Sequence, residues 1–135
     1  MRANLLCVLA AGAGVVLCGG PALAHHSFAA EFDSTKPITL TGTVTKVEWM
    51  NPHAHFLVDV KDDAGKVTCW DFELGSPNAL MRQGWTRTSL KPGDVVTVNA
   101  YRSKDGTPLA NARQITLADG RKVFAGSSQD GGPTQ

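Results

Sequence analysis

Histidine is scarce in this chain and cysteine scarcer still. Four histidines and three cysteines occur among 135 residues, and Cys7 and Cys18 both fall within the first 24. If that segment is removed, Cys69 stands alone and no disulfide framework can form within one chain. Beyond the N-terminal segment, no apolar run approaches the roughly 20 residues that a membrane span takes. An excess of basic charge is also missing. Of 13 Lys plus Arg, only Arg2 precedes residue 25, so the remainder sets 12 basic residues against 12 acidic ones. That balance argues against nucleic-acid binding, which needs a basic face. No recognisable catalytic motif is present. Asp71 and Glu73 are two residues apart on one expected strand, about 6.5 to 7 Å along the chain, but no sugar cleft accompanies them. Binding rather than enzymatic activity is therefore the expectation.

What is present begins with a leader. Met1 to Ala24 reads as a secretory signal peptide: Arg2 supplies the positive start, Leu5 to Leu17 the apolar run, and Ala22-Leu23-Ala24 an A-x-A cleavage site. Lipidation at Cys18 is the weaker alternative, because Val15-Val16-Leu17 lacks the small residue expected just before such a cysteine. Cleavage after Ala24 would expose His25-His26-Ser27 as a new N-terminus in the periplasm.

Residues 25–37 are mixed in character and read as an extended arm, with Phe28 and Phe32 available to pin it. Strand signals start at Ile38. Over Ile38–Trp49, Leu40, Gly42 and Val44 share one face, but Val47 and Trp49 are out of phase with Val44. Such a shift predicts a bulged, curved strand. His53 to Lys61 alternates cleanly, with Ala54, Phe56, Val58 and Val60 apolar and His53, His55, Leu57 and Asp59 opposite. Asp62-Asp63-Ala64-Gly65-Lys66 suits a turn closed by a bulge. It sets Trp70 across from Val58, Phe72 across from Phe56, His55 across from Glu73 and Asp59 across from Cys69.

Ser76 to Gly84 reads as one short helix, with a capping Ser76, Pro77 in the first turn and Gly84 at the end. Strands Val95–Tyr101 and Leu109–Leu117 follow, then a short edge at Lys122–Phe124. Residues 126–135 lack apolar side chains and read as a disordered tail. Residues 38–125 thus make one domain. A bulged strand, a hairpin, a helix between strands three and four, and two more strands give the order of an all-β, OB-fold-like five-stranded barrel; a generic small β-sandwich is the alternative.

Several motifs recur together: His25-His26-Ser27-Phe28 after the leader, Gly42-Thr43-Val44, Asn51-Pro52-His53, Trp70-Asp71-Phe72-Glu73, Gly84-Trp85 and Lys91-Pro92-Gly93-Asp94. Through them the chain resembles a family of small exported bacterial proteins of uncharacterised function. The resemblance implies a periplasmic location and supplies no activity.

All four histidines fall in two short segments, which is the pattern of a metal site. An α-amine, the ring of His25 and a further imidazole from His53 or His55 would make a nitrogen-rich set suited to copper(II), with zinc a lesser candidate. His26 offers a rival chelate through the amine and the intervening amide, although Ser27 occupies the third position where the familiar amino-terminal copper motif needs histidine. Glu73 is expected beside His55 as an orienting acceptor or a further ligand. The competing reading makes His53 and His55 ordinary surface residues and Asn51-Pro52-His53 a turn. Cys69 reads as a buried, inert thiol. Trp49, Trp70, Phe72 and Trp85 offer a stacking platform for a sugar or base, but Trp70 and Phe72 fit the core too well for that role. A metal-free module that binds a protein, peptide or glycan by a face or free strand edge remains the alternative function.

Overall fold

The hairpin register can be checked against the structure residue by residue. In the computed structural model, which describes residues 28–125, the Asp62 N–H donates to the Lys66 carbonyl at 2.9 Å and Gly65 takes a φ of 86°. Asp62 Oδ1 accepts from the N–H groups of Ala64 and Lys66, which fixes the turn locally. From it run two antiparallel strands, here β2 (His55–Lys61) and β3 (Val67–Glu73). They pair Phe56 with Phe72, Val58 with Trp70, Asp59 with Cys69 and His55 with Glu73, as the apolar alternation requires. The rings of Phe56 and Phe72 stack at 5.2 Å.

Ahead of the hairpin, a single helical turn α1 (Phe28–Glu31) leads into the 17-residue strand β1 (Phe32–Glu48). β1 is bulged between Val44 and Lys46, where its register against β2 shifts. Gly42 is needed here: a Cβ at that position would run into the Asp59 carbonyl oxygen and stand 2.7 Å from Val58 Cγ1. The bulge lets β1 turn its N-terminal part to β4 (Val95–Ser103) and its C-terminal part to β2.

Over its described part, residues 28–37, the segment differs from the extended arm expected at 25–37. Phe28–Glu31 is helical and β1 begins at Phe32, six residues before Ile38, with an irregularity between Phe32 and Pro37. Phe32 pairs with Ser103 and is only 2 % exposed, so a single buried ring carries the strand across a polar stretch that lacks strand alternation.

Between β3 and β4 lies α2 (Pro77–Arg82). Ser76 caps it, its Oγ accepting from the Ala79 N–H at 3.2 Å, and Pro77 occupies the first turn. Gly84 follows the end of the helix at a φ of 89°, a conformation that favours glycine. Leu80 of α2 is fully buried, and Trp85 donates its indole N–H to the Phe124 carbonyl at 3.0 Å.

β4 pairs antiparallel with β5 (Leu109–Leu117), and β6 (Lys122–Phe124) adds to β5 as a short edge. β5 also pairs in parallel with β3 over Asp71–Glu73. Strands β1, β2, β3, β5 and β4 therefore close into a ring of five. The class is all-β with two short helices. Phe56, Phe72, Leu74, Leu80, Ile115 and Val98 fill the interior. The leader 1–24, His25, His26 and the tail 126–135 lie outside the described residues.

Candidate functional site

His53 and His55 sit where the chain enters β2, at the corner where β2, β3 and β5 meet. Both rings are partly buried. His53 precedes the strand and its Nδ1 lies 3.0 Å from the Leu74 carbonyl oxygen. A carbonyl only accepts, so this nitrogen carries the proton and donates it. In the neutral ring the lone pair is then on Nε2. His55 Nδ1 lies 2.8 Å from Asp71 Oδ1 and likewise donates to it, which assigns the Nε2 lone pair of His55 by the same argument. Histidines that ligate metals through Nε2 are held in this way, by a carbonyl or carboxylate on Nδ1–H.

The orienting partners differ from the sequence-based expectation. Glu73 faces His55 in the strand register, yet its carboxylate oxygen lies 3.6 Å from His53 Nδ1, and Asp71 binds His55 instead. Register places backbones opposite each other; a long side chain is free to reach the diagonal neighbour two residues away. Glu73 Oε1 also accepts from Asn111 Nδ2 at 3.4 Å, and Asn111 Oδ1 accepts from Arg113 at 3.5 Å. Asn111 is 1 % exposed and its place opposite Glu73 comes from the parallel β3–β5 pairing. Neither Asn111 nor Arg113 was singled out by the sequence, because that pairing joins residues 38 positions apart without a turn to announce it.

Electrostatics follow the contacts. The Asp71 hydrogen bond raises the His55 pKa above its ordinary value, with burial opposing it and the charges of Asp71, Glu73 and Glu48 adding to the rise. Burial raises the Glu73 carboxyl, helped by the Glu31 charge and opposed by the two histidines and the Asn111 amide. At this corner Asp71 and Glu73 therefore serve two different imidazoles.

Cys69 is not buried. It is exposed on the outward face of β3, because the alternation that turns Trp70 and Phe72 inward turns Cys69 out. Partial desolvation of its sulfur, together with the charges of Asp59 and Asp71, raises its pKa, which disfavours the thiolate that binds metals. Trp85 lies in the core, and Trp49 and Trp70 pack against it from the side. The Arg102 guanidinium lies 5.7 Å from the Trp70 ring centroid. Among the described residues, no group of three or more His, Cys, Asp or Glu side chains is arranged to hold a metal ion, and none of their helices is long and apolar enough to cross a membrane.

The profile of a family of unknown function (DUF6152) matches residues 13–111. The chain belongs to that family. No curated protein and no solved structure matches it.

Proposed function

We propose that this protein is exported to the periplasm, where its five-stranded ring is an OB-fold-like barrel and binds a transition-metal ion, copper before zinc. The observation that carries the reading is the paired tautomer assignment. Leu74 and Asp71 hold Nδ1–H of His53 and His55 and so leave Nε2 of each neutral ring with its lone pair. Glu73, beside His53, supplies a carboxylate for the second shell or for the ion itself. The remaining ligands in this reading are the α-amine and ring of His25 after cleavage, with His26 as the rival chelating residue. A nitrogen-rich set of that kind suits copper(II). The role is to hold the ion or hand it on, without catalysis.

Copper(II) competition titration of protein matured through its own signal tests this. His53→Ala with His55→Ala, and separately His25→Ala with cleavage retained, are expected to weaken binding at least tenfold. Unchanged affinity in the double variant would leave only a peptide-like chelate at His25-His26 and would overturn the folded site.

A second reading has one specific support. Among the described residues, β3 pairs with β5 only over Asp71–Glu73 and no strand lies beside Val67–Trp70 on that side; Val67 is 55 % exposed. That edge could add an extended peptide strand in a metal-free binding module. Wild-type protein without tight copper binding would favour it.

A further inference from the structure

We propose that Asn111 is a positioning residue of the metal site: it holds the Glu73 carboxylate beside His53 and so sets how strongly that ring binds the ion. This role rests on the metal-binding reading above and lies one contact beyond it.

Asn111 stands between Ala110 and Ala112 on β5, and all three residues are buried. The strand is walled on both sides there: Asn111 pairs in parallel with Glu73 of β3 and antiparallel with Tyr101 of β4. An amide buried among alanines costs stability unless its donor and acceptor are both satisfied. Asn111 directs them at two charged groups. Its Nδ2 donates to Glu73 Oε1 at 3.4 Å, and its Oδ1 accepts from Arg113 Nη1 at 3.5 Å. A guanidinium only donates and a carboxylate only accepts, so the amide has one orientation in this chain of bonds.

Arg113 is the inserted residue of a bulge, because the β4–β5 register steps from Asn99 opposite Gln114 to Ala100 opposite Ala112. Its guanidinium stands 5.7 Å from the Tyr101 ring centroid and 5.7 Å from that of Phe124, which fixes the far end of the chain. At the near end, Glu73 Oε1 lies 3.6 Å from His53 Nδ1, whose proton the Leu74 carbonyl already accepts. Glu73 therefore adds a negative charge beside that N–H rather than a second strong hydrogen bond. Charge on that side of an imidazole makes the remote nitrogen, Nε2, a better donor to a metal. The Glu73 side chain is only 14 % exposed. Without the Asn111 amide it would be a buried charge with one donor fewer, and it would turn from His53 toward water.

The test uses protein matured through its own signal, with copper(II) as the probe. Chelator competition, electron paramagnetic resonance and thermal unfolding are the readouts. Asn111→Asp keeps the size of the side chain and its bond from Arg113 but sets a like charge against Glu73, whereas Asn111→Leu removes the amide altogether. Each is made alone and with Glu73→Gln, and His53→Ala is the control. Asn111→Asp, Asn111→Leu and Glu73→Gln should each weaken copper binding by roughly 10- to 100-fold, the usual cost of losing a partner of a metal ligand. Their spectra should match one another and differ from wild type. In the Glu73→Gln background neither change at Asn111 should weaken binding further, since Asn111 acts only through Glu73. A loss at Asn111 that is just as large in the Glu73→Gln background would make Asn111 merely structural and overturn the positioning role. So would wild-type affinity in the Asn111 variants or in Glu73→Gln, and the last of these decides even where an Asn111 variant fails to fold. Affinity insensitive to His53→Ala would instead remove the metal site, and the positioning role with it.

Discussion

At the scale of single residues, metal binding at the proposed site depends on which ring nitrogen of each histidine keeps its lone pair. Asp71 holds His55 through a direct 2.8 Å contact, so Asp71→Asn should weaken copper binding by roughly 10- to 100-fold, the usual cost of losing such a partner. Chelator competition measures it, and an unchanged affinity would mean that His55 does not ligate. A different carboxylate reports on stability. The Thr107 backbone N–H, with the Thr107 and Ser103 hydroxyls, holds Asp105 below its ordinary value near 3.8. A depressed carboxylate stabilises the fold above its unfolded pKa, and that contribution is lost as pH falls through the folded value. Asp105→Ala should therefore lower the melting temperature at pH 6 to 7, and the gap should close as pH falls from 3.8 through the lower folded value. Histidine pairing was only half legible in the sequence. The backbone register put Glu73 opposite His55, but side-chain reach sent Asp71 there instead. Cys69 shows the reverse case: its type suggested burial, whereas the hairpin alternation already pointed it outward opposite Asp59.

At the scale of elements, local chemistry explains why some parts of the chain were readable. The Asp62–Lys66 turn and period-two alternation fix the β2–β3 register, and Ser76, Pro77 and Gly84 punctuate α2. Ser76→Ala should cost about 1 kcal/mol through the lost cap, a fall of roughly 4 to 8 °C in a domain of this size. Gly42→Ala should cost more, about 1 to 3 kcal/mol, because its methyl group meets backbone at Asp59 and Val58 Cγ1 at 2.7 Å. Thermal unfolding distinguishes the two, and a Gly42→Ala protein as stable as wild type would show that β1 can shift at its crossing with β2. The start of β1 was illegible for a physical reason. Asp33 to Lys36 carries no strand alternation, and what extends the strand to Phe32 is pairing with Ser103, a residue 71 positions away. α1 was missed likewise, since its support comes from Lys104 and Tyr101 rather than from its own sequence.

At the scale of the whole molecule, five strands close on themselves and bring the start of β2, the end of β3 and the start of β5 to one corner. The order of the main strands along the chain followed from the sequence pattern, but the parallel β3–β5 seam that buries Asn111 beside Glu73 did not. An ion held across this corner and the N-terminal segment would bind the folded chain more tightly than the unfolded one, which keeps only the chelate at His25-His26. Copper at 100 times its dissociation constant should then add at most about 2.7 kcal/mol of stability, seen as a rise in melting temperature that His53→Ala with His55→Ala abolishes. The most direct measurement is pulsed electron paramagnetic resonance on the copper(II)-loaded protein matured through its own signal, which detects the remote ring nitrogen of each coordinated imidazole. Modulation from several coordinated imidazoles is expected, reduced in His53→Ala and in His55→Ala. Modulation identical in wild type and the double variant would contradict metal binding at these histidines.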